Sequence, residues 1–130
     1  MRVRVFMCVF KNQKVIIKII LMEIILKQST RQGKKFMAQF INKETNKTNT
    51  THFGADGYTD YIQLNQMGSK SQPEEHKERY LSRHSKNENW SDITTAGFWS
   101  RWLLWNLPTI NESIKHIENK FNVKIINNIK

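Results

Sequence analysis

The chain has 130 residues, with 21 Lys and Arg against 11 Asp and Glu, and 38% of it is hydrophobic. That length suits one domain with a core of its own. The single cysteine, Cys8, excludes an intrachain disulfide, and no Cys/His spacing fits a zinc ribbon. The formal charge of +10 is unevenly spread, because residues 1–33 carry seven cations against Glu23 alone, and the body of the chain is only mildly basic. Abundant Asn, Lys and Ile read as the coding bias of an A/T-rich genome, and the sequons at Asn46, Asn49, Asn89 and Asn111 as chance matches.

Residues 1–28 differ in composition from everything after them. A membrane span needs about 20 continuous apolar residues, and the longest stretch, Val15–Leu26, is broken by Lys18 and Glu23. No small-residue cleavage site follows it, as a secretory signal would require. Two readings stay open: added β-strands, or a basic apolar extension outside the fold. Residues 1–32 are therefore set apart from a compact domain over 33–126 and a tail over 127–130, and residues 1–28 are expected to be dispensable for folding.

Further along, Phe36, Ala38 and Phe40 alternate in a strand over 34–41, and a polar turn leads into a second strand, giving a hairpin over about 34–53. Gly54 to Gly57 reads as a tight turn, residues 58–64 as a third extended piece, and 65–72 as a Gly/Ser linker. Ser71 and Glu74 have capping-box spacing ahead of a helix over about 73–85. A helix over about 96–105 is apolar nearly all round, with Ser100 and Arg101 its polar relief. Thr109 and Glu112 cap a third helix over about 110–121, whose stripe is Ile110, Ile114, Ile117 and Phe121. A strand over about 122–126 closes an α+β plan, a small antiparallel sheet covered by three helices.

Several stretches together carry a family pattern. They are His52-Phe-Gly-Ala-Asp-Gly-Tyr-Thr-Asp-Tyr61, Glu78-Arg-Tyr-Leu-Ser-Arg-His84, Glu88-Asn-Trp90, Thr95 through Trp105, Pro108-Thr109 and Ser113-Ile114. Across about residues 34–125 the sequence resembles a small uncharacterised domain family of large DNA viruses of algae and protists, the mimivirus-like giant viruses. The resemblance implies a viral protein working in the host cytoplasm (the viral factory) or in the virion. It implies no enzymatic activity. Between Tyr61 and Glu78 the sequence departs from the family's usual pattern.

The chemistry-bearing residues fall into three groups. His76, Tyr80 and His84 share one helix face with Arg79 and Arg83 beside them, which suits proton transfer or phosphate contact. The structural reading of the same face is a Tyr-anchored helix with a solvated flank. With Lys34, Lys35 and Arg101 these arginines are the candidate nucleic-acid or phosphate contacts. His52, Asp60, His76 and His84 form a candidate polar cluster, in which Asp60 is expected to take turn amides or pair with Arg79 or Arg83. Trp90, Trp99, Trp102 and Trp105 are interface or core aromatics, since three tryptophans on one helix cannot all face inward. No catalytic residue is assigned, no cofactor motif is legible, and no metal site is expected.

These observations favour a non-enzymatic viral interaction domain associating with nucleic acid through backbone contacts. The alternatives are a module binding a virion or host protein and, below both, an enzyme using Asp60, His76, Arg79 and His84. Those four around a pocket would favour the enzyme, a continuous basic face would favour nucleic acid, and an exposed Trp/Leu patch a protein partner.

Overall fold

The structure, a computed structural model, describes residues 22–130; residues 1–21 lie outside it. Strand β1 spans Met22–Gln28, and alternation places Ile24 and Leu26 on its buried side. It pairs antiparallel with β2, Lys34–Asn42, which pairs antiparallel with β3, Lys47–Ala55. On its other edge β1 pairs in parallel with β4, Ile125–Asn127, so the order is β3-β2-β1-β4.

This topology corrects three expectations. The compact unit does not start at 33, because β1 is an interior strand, bonded on both edges. The sheet is mixed rather than antiparallel, since β4 arrives from the helical layer by a crossover instead of a hairpin. The tail proposed for 127–130 begins inside β4, and the Asn128 amide donates to the Leu26 carbonyl at 2.8 Å.

The segment after the hairpin is helical where an extended piece and a linker were expected. Helix α1 spans Tyr61–Met67. Asp60 caps it: its Oδ1 accepts from the Gln63 amide at 3.0 Å, and Gln63 Oε1 accepts from the Asp60 amide at 3.0 Å. Tyr61, Ile62 and Leu64 are buried while Gln63 and Gln66 face outward, a helical period that seven residues disguise as alternation. A 3₁₀ turn, Ser69–Ser71, follows. The Ser71 hydroxyl is drawn onto the carbonyls of Leu64 and Gly68 at 2.6 and 2.7 Å, so the expected Ser71–Glu74 capping box is not made. Helix α2, Pro73–His84, starts from Gln72 without a side-chain cap, helped by Pro73 in its first turn and the acids Glu74 and Glu75.

The Thr95 hydroxyl caps helix α3 by accepting from the Phe98 amide at 3.1 Å. The helix runs as α over Ala96–Trp99 and widens to π over Ser100–Leu104, where the Trp105 amide reaches back five residues to the Ser100 carbonyl at 3.0 Å. Helix α4, Ile110–Phe121, is capped by Thr109 and buries Ile114 and Ile117, with Ile110 and Phe121 flanking. The α+β architecture thus holds, with four helices where three were expected.

Helix α3 packs on β3 and against α4. Its Phe98, Trp99, Leu103 and Leu104 meet Ile24, Leu26, Ala38, Phe40 and Phe53 of the sheet in one core. The approach is close enough that a Cβ on Gly54, which sits at φ +79, would lie 2.9 Å from Leu104 Cδ1. Trp99 has no exposed surface and its ring lies 6.0 Å from that of Phe53 at 28°. Trp102, three residues on, is only half-buried, beside Phe121 and His116.

Trp99→Ala should therefore cost about 3–5 kcal/mol, and Trp102→Ala clearly less, as denaturant midpoints will show. Deleting residues 1–28 should abolish cooperative unfolding rather than leave the body intact, because Ile24, Leu26 and two hydrogen-bonded ladders go with β1.

Candidate functional site

A helix packed on a body normally buries apolar residues at i, i+3, i+4, i+7 and i+8. On α2 those positions are His76, Arg79, Tyr80, Arg83 and His84, and all five line one cleft of about 580 Å³. The opposite wall is the start of β2, with Lys34 and Lys35, and the turn after β3, with Tyr58 and Asp60. Helix α3 supplies the floor through Gly97, Ser100 and Trp105. The π turn matters here because it swings Trp105 out of simple helical phase. Its ring lies flat on Tyr80 at 4.5 Å and 6°, and His84 stacks on the other face of Tyr80 at 4.2 Å and 24°. Burial, with the Glu88 carboxylate second, pushes the Tyr80 phenol well up from its ordinary value, so it stays neutral.

Of the expected phosphate contacts, Lys34, Lys35, Arg79 and Arg83 converge on this cleft. Their roles differ. Lys35 Nζ donates to the Tyr58 carbonyl at 2.6 Å, to Asp60 Oδ2 at 2.8 Å and to Gln63 Oε1 at 2.8 Å. An ammonium has three protons, so Lys35 is saturated and fastens β2 to α1. Asp60 thus takes a backbone amide, that of Gln63, as expected, but its ion pair is with Lys35 rather than the expected Arg79 or Arg83. Register explains it: Lys35 stands two residues along β2 from Gly33, whose carbonyl accepts from the Asp56 amide at 3.0 Å, beside the turn that carries Asp60. Among the described residues Lys34, Arg79 and Arg83 have no ion pair.

Two expected members lie elsewhere. His52 alternates with the buried Phe53 and faces the other side of the sheet, where its Nδ1 meets the Ser29 hydroxyl at 2.7 Å. Arg101 is withdrawn into an aromatic slot, 4.2 Å from the Trp102 ring centre and 5.4 Å from that of Trp90, and its Nη1 donates to the Trp105 carbonyl at 3.0 Å. No phosphate contact is expected from it. Burial lowers the Arg101 pKa, and burial followed by Arg101's charge lowers that of Lys77.

The tryptophans pin the loop between α2 and α3. The indole N–H of Trp99 donates to the Ile93 carbonyl at 2.8 Å, that of Trp102 to the Trp90 carbonyl at 2.7 Å, and that of Trp90 to Glu88 Oε1 at 2.9 Å. Glu88 stood in the sequence as part of the Glu88-Asn-Trp90 stretch, with no site role assigned to it. Its other oxygen meets His84 Nδ1 at 3.0 Å. Spacing held the signal, since Glu88 follows His84 by four residues and precedes Trp90 by two. Tyr58 likewise had no site role assigned; the residue is 75% exposed at the cleft while its carbonyl is fixed by Lys35.

Among the described residues no three His, Cys, Asp or Glu side chains group to hold a metal ion, and no helix is long and apolar enough to cross a membrane. Residues 24–84, just under half of the chain, are similar to a family of unknown function, DUF5754. That span runs from inside β1 to His84 at the end of α2 and includes both walls of the cleft but not its floor. No curated protein and no solved structure matches the chain.

The Lys35–Asp60 pair has side-chain exposures of 12% and 7%. Removing one partner of a buried pair strands the other charge, so Lys35→Met should destabilise by about 3–5 kcal/mol. Adding Asp60→Asn removes that charge and keeps a capping side chain, and the double variant should recover a good part of the loss in a denaturant series.

Proposed function

We propose that this domain associates with nucleic acid through the phosphate backbone, using the cleft between α2 and the β2 end of the sheet. The observation that carries the reading is the convergence of Lys34, Arg79 and Arg83 on one concavity without carboxylate partners among the described residues. Guanidinium forks suit phosphate oxygens, and nothing in the cleft is arrayed to read base edges, so binding is sequence-tolerant. Tyr58, exposed at the cleft, offers a face on which a base can stack, which favours a single strand over a duplex. The concavity favours it further, since a flexible strand enters a cleft that a rigid duplex only touches.

Docking of a virion or host protein on the tryptophan helix has less support. The large exposed hydrophobics among the described residues are Tyr58, Met67 and Ile126, with no tryptophan among them. The resemblance to giant-virus proteins supports placing the association in the viral factory or the virion.

Labelled single strands and duplexes titrated at several salt concentrations test the proposal. Each phosphate contact contributes about one unit to the slope of log affinity against log salt. Arg79→Ala with Arg83→Ala should weaken binding to all sequences and flatten the slope by about two, whereas Lys70→Ala on the 3₁₀ turn should change little. Affinity that ignores salt, or that survives the double arginine variant, overturns the proposal.

A further inference from the structure

A cleft that only gathers phosphates gains nothing from a carboxylate, yet one is held in this cleft by both oxygens. Glu88 Oε1 accepts from the Trp90 indole at 2.9 Å, and Oε2 lies 3.0 Å from His84 Nδ1. Room for the carboxylate comes from Gly97, where a Cβ would stand 3.0 Å from Glu88 Cδ and 3.1 Å from Oε1. Glu88 is thereby aimed at the imidazole and away from a ligand. A carboxylate on Nδ1 holds the proton there and leaves Nε2 with its lone pair. Stacking on Tyr80 fixes the ring plane. Among the described residues Nε2 has no partner. His84 follows Arg83 directly and lies five residues beyond Arg79, and all three line the cleft, so a base of fixed tautomer and orientation shares one concavity with a phosphate held by the arginines.

We infer that the cleft cleaves RNA, with His84 as general base towards the ribose 2′-hydroxyl and Glu88 as its positioning residue; the inference rests on the nucleic-acid reading above. Nε2 takes the 2′-hydroxyl proton, O2′ bonds to phosphorus, and the bond from phosphorus to O5′ breaks. The departing 5′ oxygen takes a proton from water, and the imidazolium returns its proton to the hydroxide so formed. The products are a 2′,3′-cyclic phosphate and a 5′-hydroxyl. Arg79 and Arg83 meet the extra negative charge that develops on the phosphoryl oxygens, and Glu88 stabilises the transient imidazolium.

The test uses the full chain, an end-labelled RNA oligonucleotide and the DNA strand of the same sequence. RNA should be cut to cyclic-phosphate ends, and DNA, which lacks the attacking hydroxyl, should be bound but not cut. His84→Asn, purified identically and compared by circular dichroism, should lose about 10²–10⁴-fold in cleavage rate while still binding RNA. Glu88→Gln should lower kcat and leave KM, whereas a merely structural Glu88 would lower the melting temperature and leave kcat per folded molecule as it was. RNA that is bound but cut no faster than by His84→Asn overturns the inference and leaves the binding proposal standing. Cleavage of DNA as well overturns the 2′-hydroxyl step. Absence of binding removes the nucleic-acid reading and this inference together.

Discussion

Trp99 must be both dry and hydrogen-bonded, and that double demand sets the layout of the helical layer. The indole is the largest side chain without exposed surface, and only the centre of the sheet face, on Phe53 and Phe40, offers enough apolar area to cover it. Its N–H would be costly to bury unpaired, so a carbonyl has to come to it, and Ile93 supplies one. The loop between α2 and α3 is thus drawn under the sheet. Thr51 adds a second tie by donating to the Thr94 carbonyl at 2.8 Å. Once that loop is placed, Glu88 falls into the cleft, held by the Trp90 indole N–H, and α2 forms the wall beside it.

Where the sequence carried long periodic signals, it was legible. The Phe36, Ala38 and Phe40 alternation and the Ile110 to Phe121 stripe each name one face unambiguously, and both are strand and helix as expected. Short segments were not, because competing patterns coincide over a few residues. Tyr61-Ile-Gln-Leu fits an edge strand as well as a first helical turn, and what decides it is the Asp60–Gln63 capping pair, spaced as in a capping box but led by Asp rather than Ser or Thr. Ser71 shows the converse, a well-spaced cap whose hydroxyl found better acceptors in the preceding turn. Residues 22–28 were half legible, with added strands one of two open readings: a strand flanked by cations has the composition of an extension, and its pairing with β4 joins residues about a hundred positions apart.

The site was half legible. Basic and titratable residues at one helix face were visible as a stripe, but a stripe does not say whether it faces solvent or a wall. Here it faces a wall, formed by Lys35 and Asp60, and their pairing is non-local. The pair also separates the cations into two kinds. Lys35 is consumed in holding β2, the turn carbonyl and the α1 cap together, while Lys34, Arg79 and Arg83 keep their charge for something else. His52 and Arg101, also candidates in the sequence, are removed by strand alternation and by an aromatic slot respectively, neither of which residue type alone reveals.

Helix α3, with Trp105 at its C-terminal end, serves both the core and the cleft, and the π turn is what makes that feasible. In a regular helix Trp99 and Trp102 are neighbours on one face, and Trp105 would continue their drift around the cylinder. Widening over Ser100–Leu104 lets Leu103 and Leu104 stay in the core while Trp105 turns back onto Tyr80. Two glycines clear the remaining space: Gly54 lets Leu104 reach the sheet, and Gly97 lets Glu88 reach His84. Core packing and the orientation of the imidazole are therefore set by one short helix, whose register ties them together: a shift of α3 towards the sheet would carry Gly97 and Trp105 with it and change the angle at which His84 meets its carboxylate.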